Sequence, residues 1–393
     1  MSLMPVDHAM RTMRDSVEPI AQTEALPLLE ARGRVLAEVI VAERDQPPFD
    51  ASAMDGYAVR AADLPGSMRR IGEAAAGRRF PGTVGPSQCC RIFTGAPLPE
   101  GADAVLIQED ASVAGDTVST GETLAPGRYV RPAGLDYRAG STLLSPGRRL
   151  GPTEIALVAS VGRPEVRVVR RPRVAIVMSG DELVEPGGTP GPDAIFASNG
   201  SGVAVMVAEH GGEPLDFGIA ADCDAALDAL FDRVETAKPD VVVTLGGASV
   251  GDHDLVGSAL ERRGVDMRFL KLAMRPGKPV MFGIRGPVAY LGLPGNPVSS
   301  LVGARILLVP LLDRLLGAAC IATTETAILA EPLERNGPRR HYMRAELKGG
   351  RVAPFPDQDS SLLSVLARTD VLVVRDPYDP PRSSGESVRI MRW

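Results

Sequence analysis

The residues in this chain whose types and spacing could do chemistry gather at turns that follow apolar runs. Leu291-Gly-Leu-Pro-Gly-Asn-Pro-Val298 joins a short apolar strand to a long apolar helical pattern, Val298 to Leu316. A strand, a rigid Gly/Pro turn and a helix start make an anion site, because the first N–H groups of a helix lack partners and carry partial positive charge. Pro297 suits the first helical position, where a missing N–H costs nothing. Just upstream, Lys271-Leu-Ala-Met-Arg-Pro-Gly-Lys-Pro279 sets three cations, Lys271, Arg275 and Lys278, within nine residues. The prolines restrict this backbone, which favours a held binding site over a solvated face. Arg275 can grip an oxyanion through both arms of its fork. Together the two turns point to a phosphorylated or oxyanionic substrate.

Acids stand at similar places. Ser179-Gly-Asp-Glu182 follows an apolar strand and could hold a hard cation such as magnesium, or be a turn with solvated carboxylates. Gly246-Gly-Ala-Ser-Val-Gly-Asp-His-Asp254 has glycines that let backbone N–H groups approach a phosphate, and ends in Asp252 and Asp254. It lacks the Lys-Ser/Thr of a Walker A loop and does not match G-x-G-x-x-G. A tight strand-to-helix turn explains it about as well. Pro48 to Arg60, Arg91-Ile-Phe-Thr-Gly-Ala-Pro97 and Arg128 to Arg138 mix acids, hydroxyls and arginines with small residues, as functional loops and ordinary β-connections both do.

The elements that must position these loops follow from texture. Val6 to Ile20 has a helical pattern with Met10, Met13 and Val17 on one side, and Leu26 to Val35 reads as a second helical piece. From about Ala42 to Arg138 the chain is dense in Gly and Pro with short strands such as Ala104 to Ile107 and Thr117 to Ser119, a β-rich region. A helix is expected at Thr153 to Val161, capped by Thr153. From Arg171, strands (Val174–Met178, Leu215–Ala220, Val241–Leu245, Val280–Gly283, Val288–Leu291) alternate with helices (Asn199–Ala208, Ala225–Val234, Leu255–Glu261). That alternation predicts a mostly parallel α/β sheet with helices on both faces. Ligands of such sheets bind beyond the carboxyl ends of the strands, where the suspicious loops lie. Thr323 to Trp393 reads as a small β domain with strands near Ala327–Leu329, Met343–Leu347, Val371–Val374 and Val388–Met391.

Composition bounds the function. At 393 residues the chain is long enough for two to four domains, and its 44% hydrophobic content permits real cores. A formal net charge of −6 and 4% aromatic residues argue against nucleic-acid binding. Cys89, Cys90, Cys223 and Cys320 form no C-x-x-C pair and read as buried thiols of a reduced, cytoplasmic protein. The four histidines are too scattered for a zinc site. No signal peptide and no membrane-spanning run of about 18 apolar residues is expected.

In order along the chain, Ser52-Ala-Met-Asp-Gly-Tyr-Ala58, Arg91-Ile-Phe-Thr-Gly-Ala96, Gly180-Asp-Glu-Leu183, Gly246-Gly-Ala-Ser-Val-Gly-Asp252, Arg275-Pro-Gly-Lys-Pro279 and Leu293-Pro-Gly-Asn-Pro297 resemble the molybdopterin molybdenumtransferase family, which includes the gephyrin E domain. Any one motif is weak, but all of them in order are specific. The resemblance implies insertion of molybdenum from molybdate into adenylylated molybdopterin, with AMP released with the help of a divalent cation, usually magnesium. It implies an elongated homodimer whose chain has an N-terminal helix and linking domain (1–41 and 139–171), a β-rich domain (42–138), an α/β molybdopterin-binding domain related to molybdopterin adenylyltransferases (172–317) and a C-terminal β-barrel (318–393). The active site would lie in a cleft between the sheet domain of one subunit and the β-rich domain of the other.

By motif match the catalytic acids would be Asp55, Glu182, Asp222 and Asp254, with Glu182 and Asp254 holding the metal. Substrate would be bound by Thr94, Asp136, Ser249, Lys271, Arg275, Lys278, Pro294, Asn296, Pro297, Arg344 and Ser360. Arg275 stands where many members have Lys, and Gln358-Asp-Ser-Ser361 lacks the glycines common near the family's serine. Partners implied are a molybdopterin adenylyltransferase and molybdoenzyme-maturation proteins, with no nucleic acid and no membrane. The alternatives are a molybdopterin adenylyltransferase and a non-catalytic molybdopterin-binding assembly protein.

Overall fold

The computed structural model describes residues 3–247, 255–319 and 325–393. The chain forms two compact units, one of Met1–Glu38, Pro146–Ile155 and Glu165–Trp393, the other of Val39–Ser145 and Ala156–Pro164.

The larger unit is built on a six-stranded sheet in the spatial order Glu213–Ala220, Arg173–Ser179, Val241–Leu245, Val288–Leu293, Pro279–Arg285, Asp266–Lys271. The first four strands pair in parallel, and Pro279–Arg285 pairs antiparallel with both of its neighbours. The alternation of the pleat sends Val174, Ile176 and Met178 into one apolar layer and Ala175 and Val177 into the other. Helices Ser198–Glu209 and Pro297–Gly303 cover the first layer, and Asp224–Thr236 and Leu255–Arg262 the second. Strands buried on both faces read as continuous apolar runs, which is why they were legible in the sequence. Each such Val or Leu contributes about 1.5–3 kcal/mol by leaving water.

The long apolar helix runs from Pro297 to Leu315 but widens into a π turn at Ala304–Leu308. Pro310 has no N–H to close the regular ladder there. The helix expected at Leu26 to Val35 does not form. Thr23–Pro27 is instead a strand paired with Glu165–Val169, followed by turns. Pairing to a distant strand, invisible to local periodicity, decides this segment. The N-terminal helix is shorter than expected, Val6–Asp15, with Met13 buried on it and Val17 buried just beyond. Helix Pro152–Ser160 forms, yet Glu154 and not Thr153 accepts the Gly151 N–H at 3.0 Å.

In the last third, Arg340–Lys348, Arg351–Pro354, Glu325–Leu329, Ser387–Arg392 and Val371–Arg375 pair in that order, and the last pairs back to Arg340–Lys348, closing a five-stranded barrel. Its lining includes Leu329, Ala345, Val352, Val371 and Val373. The Arg351 strand escaped the sequence reading, being only four residues long with two charged or cyclic ends.

The smaller unit carries a second six-stranded sheet: Ala104–Ile107, Gly56–Val59, Gln88–Ile92, Gly66–Ala74, Thr117–Thr120, Ser112–Ala114. Cys89 and Cys90 point into apolar clusters on its opposite faces. Burial pushes their thiols up to about 11 and about 12, which makes them packing residues rather than nucleophiles. Among the described residues no helix is long and apolar enough to cross a membrane.

Candidate active site

In the larger unit the site forms where strands Arg173–Ser179, Val241–Leu245 and Val288–Leu293 end. Gly246 has φ +91°, and a Cβ there would lie 2.4 Å from the Ser179 carbonyl oxygen. Only glycine lets these two strand ends close together. The Gly246 N–H donates to the Leu293 carbonyl at 3.1 Å, so this glycine serves packing and leaves no donor for a phosphate. Residues 248–254 of that loop, including Ser249, Asp252 and Asp254, lie outside the described residues.

At the end of the Arg173 strand, the Ser179 hydroxyl donates to Asp222 Oδ1 at 2.5 Å, and the Asp222 N–H donates to Asp181 Oδ1 at 3.0 Å. Asp222 is thereby oriented from two sides. Glu182 folds back over Gly180, and its carboxylate has no partner among the described residues. Ser179, Glu182, Asn199, Gly246, Gly295 and Pro297 help line a small cleft of about 90 Å³.

The Pro294-Gly-Asn-Pro297 turn sits on the same rim. Pro294 is buried, while Gly295 and Asn296 are exposed. Asn199 Nδ2 donates to the Gly295 carbonyl at 2.6 Å, and Asn296 Nδ2 donates to Ser360 Oγ at 2.9 Å. Pro297 does open the helix. The expectation of a fan of free N–H groups needs correction, however. The Val298 N–H is taken by the Ser360 carbonyl at 3.1 Å, and Val298 and Ser299 are buried. The loop that carries Ser360 packs over the first turn, so the polar face of the turn is made by side chains, Asn296 and Ser360.

Ser360 is held there by Arg344. This arginine is 1% exposed; its Nε donates to Gln358 Oε1 at 3.3 Å and its Nη1 to the Asp359 carbonyl at 2.8 Å. Gln358 Nε2 returns bonds to the Arg344 and Phe355 carbonyls at 3.0 and 2.7 Å. Where glycines were expected, Asp359 Oδ1 accepts from the Ser361 N–H at 2.8 Å and hydroxyl at 2.6 Å and closes the turn. Buried in this way, Arg344 faces the Ser360 loop.

The cationic run is a hairpin between Asp266–Lys271 and Pro279–Arg285. The Leu272 N–H donates to the Lys278 carbonyl at 2.9 Å. Met274–Arg275 pairs with Arg340–His341. A Cβ on Gly277 would stand 3.4 Å from the Ser299 carbonyl, so the hairpin tip rests on the first turn of the Pro297 helix. Arg275 and Lys278 are exposed and Lys271 half-buried. Among the described residues no carboxylate pairs with any of the three, although arginine ion pairs are common elsewhere in the chain. His341, beneath Arg275, is pushed down to about 3 by burial and then by Arg275, Arg344 and other arginines, and is neutral at pH 7.

In the smaller unit the Ser52-to-Ala58 and Arg91-to-Ala96 segments become neighbours. Tyr57 pairs with Arg91 and Gly56 with Ile92. Asp55 Oδ1 accepts the Thr94 N–H at 2.7 Å and the Thr94 hydroxyl at 2.8 Å. These two bonds hold the Asp55 carboxyl below its ordinary value. Asp136 is exposed; its N–H donates to the Gln46 carbonyl at 2.9 Å, and its carboxylate has no partner among the described residues. Sequence reasoning gave no role in the site to Asn199 and Gln358, and it read Ser179 and Asp181 only as part of a possible cation loop with Glu182, not as the partners of Asp222. Asp181 lies within the Gly180-Asp-Glu182 motif and Ser179 immediately before it. Asn199 and Gln358 carried no local signal.

Fold and site define a chain with a molybdopterin-binding type of α/β domain between a β-rich N-terminal region and a C-terminal barrel. Three family models match in order: MoeA N-terminal region (domain I and II) over residues 4–162, Probable molybdopterin binding domain over 175–314, and MoeA C-terminal region (domain IV) over 326–393. A molybdopterin molybdenumtransferase of Haemophilus influenzae is 34% identical over 99% of this chain and 98% of its own length. One from Bacillus subtilis is 33% identical over 99% of this chain and 94% of its own. The crystal structure of the molybdopterin biosynthesis MoeA protein from Pyrococcus horikoshii OT3 superposes with a TM-score of 0.88 at 27% identity, covering 100% of both chains. The chain belongs to the molybdopterin molybdenumtransferase family.

Proposed function

We propose that this enzyme transfers molybdenum from molybdate to adenylylated molybdopterin and releases AMP. The observation that carries the reading is the set of three cations, Lys271, Arg275 and Lys278, on a hairpin whose tip rests on Ser299 in the first turn of the Pro297 helix, the turn that Asn296 opens with its bond to Ser360, and left without carboxylate partners among the described residues. Unpaired, positioned cations are kept for an anionic ligand, and both substrates are anionic. Arg275 offers a fork for two oxygens, and Lys271 and Lys278 offer point charges.

The acids divide the remaining work. Asp222, fixed by Ser179 and by the Asp181 contact to its own N–H, orients polar groups at the strand end. Glu182, with Asp254 from the undescribed part of the loop, would hold magnesium. Its unpartnered hard-oxygen carboxylate fits that ion. Among the described residues no three metal-ligating side chains converge, so further oxygens would come from substrate phosphate or water. Magnesium supplies positive charge to the phosphoanhydride oxygens when bound. Asp55 stays ionised because Thr94 bonds its charged form, and its second oxygen is left to accept from substrate or water. A homodimer in the cytoplasm, served by a molybdopterin adenylyltransferase and serving molybdoenzyme-maturation proteins, is the setting this reading implies.

The test is molybdate-dependent AMP release. Asp55→Ala and Glu182→Ala should fold with wild-type circular dichroism and melting yet lose that release. Full release in both variants would overturn these roles. Incubation with ATP and unmodified molybdopterin should yield no pyrophosphate; its appearance would make the chain an adenylyltransferase.

A further inference from the structure

We propose that Arg91 is the positioning residue of the Asp55–Thr94 pair. Arg91 is half-buried on the strand Gln88–Ile92, directly opposite Tyr57 on Gly56–Val59. Its guanidinium lies 5.1 Å over the Tyr57 ring and 4.9 Å over the Phe93 ring. One arm donates to the Gly56 carbonyl at 3.1 Å and the other to Gln108 Oε1 at 2.8 Å. The Gln108 N–H in turn donates to the Asp55 carbonyl at 3.1 Å.

The four anchors surround the pair. Gly56 is the residue after Asp55, Gln108 holds the Asp55 backbone, Phe93 is the residue before Thr94, and Tyr57 continues the strand. No carboxylate pairs with Arg91 among the described residues, so its fork is committed to neutral acceptors and two rings. A fixed plane with donors on two edges suits this task, and a flexible ammonium does not. Glycine at 56 is required as well, because a Cβ there would lie 2.0 Å from the Leu106 carbonyl oxygen. With Gly56 pressed onto the neighbouring strand and clamped by Arg91, Asp55 has little freedom to turn. Asp55 Oδ1 is committed to Thr94, and Oδ2 remains open for chemistry.

The kinetic part of the test rests on the molybdenum-transfer reading; a second part does not. The Asp55 carboxyl carbon is followed by NMR through a pH titration of the full chain labelled with ¹³C-aspartate, assigned with Asp55→Asn. The groups that face this carboxyl are the Thr94 N–H, the Thr94 hydroxyl and Arg91. In Arg91→Met the titration midpoint should rise, and kcat for AMP release should fall roughly ten- to hundred-fold with KM for molybdate unchanged. Arg91→Lys should restore the midpoint, since charge is kept, but not kcat, since one ammonium cannot bridge Gly56 and Gln108 while stacking on both rings. A wild-type midpoint and kcat in Arg91→Met would overturn the proposal, as would full recovery of kcat in Arg91→Lys. A lowered melting temperature with aspartate signals moving throughout the chain would also overturn it, by showing a general structural role. If the wild-type protein releases no AMP with molybdate, the functional reading fails while the NMR arm still judges Arg91.

Discussion

Gly246→Ala should separate the packing role of the glycine loop from mere backbone tolerance. At φ +91° an alanine pays about 1–2 kcal/mol for the left-handed region. Its Cβ would also stand 2.4 Å from the Ser179 carbonyl oxygen, a backbone atom that no rotamer change can move. Relief to ordinary contact demands a shift of about 1 Å, and forced overpacking of this kind costs about 1–3 kcal/mol. The sum is roughly 2–5 kcal/mol. Gly33→Ala is the control: φ is +75° there but nothing lies within 4 Å of a new Cβ, so only the conformational part remains. Urea unfolding followed by circular dichroism should show a clearly larger loss of midpoint for Gly246→Ala. The same shift displaces Ser179 and with it Asp222, so AMP release should fall about 100-fold in Gly246→Ala and stay near wild type in Gly33→Ala. Equal destabilisation of the two variants, or full activity in Gly246→Ala, would refute the claim that Gly246 closes the strand ends.

Two further outcomes are expected. Ser360→Ala removes the acceptor for Asn296 while the Ser360 carbonyl keeps Val298, so melting should change little. KM for molybdate should rise, and Ser360→Thr should recover it; an unchanged KM in Ser360→Ala would remove this hydroxyl from the site. Glu154 is drawn down to about 2, first by its hydrogen bonds from Arg148 and then by backbone N–H groups, against the opposing effect of burial. A depressed folded value means its contribution is complete above pH about 4.5 and drains away as pH falls toward 2. Glu154→Gln should therefore be less stable than wild type at pH 7, and the gap should close on acidification in a denaturation series. A gap independent of pH would show that the charge of Glu154 contributes nothing.

Much of the architecture could be read from the chain because double burial writes itself into composition. The strands at Val174, Val241 and Val288 are apolar on both faces, and Gly-Pro punctuation marks their ends. The segment at Thr23 went wrong for the opposite reason: its partner, Glu165–Val169, lies far along the chain, and pairing outweighed helical spacing. The cationic hairpin and the Pro294–Pro297 turn were visible as residue types at turns. Their meeting through Gly277 and Ser299 was not.

By itself the sequence determined which residues carry charge and where the backbone must bend, since side-chain chemistry and the special conformations of Gly and Pro are local properties. Only the tertiary structure decided which of those groups remain available. It gave the Val298 N–H to Ser360, sank Arg344 beneath the Ser360 loop, and committed one Asp55 oxygen to Thr94. It left Lys271, Arg275 and Lys278 without carboxylates among the described residues. A hydrogen bond needs a partner within about 3 Å. Which residue arrives at that distance is set by packing between segments far apart in the chain.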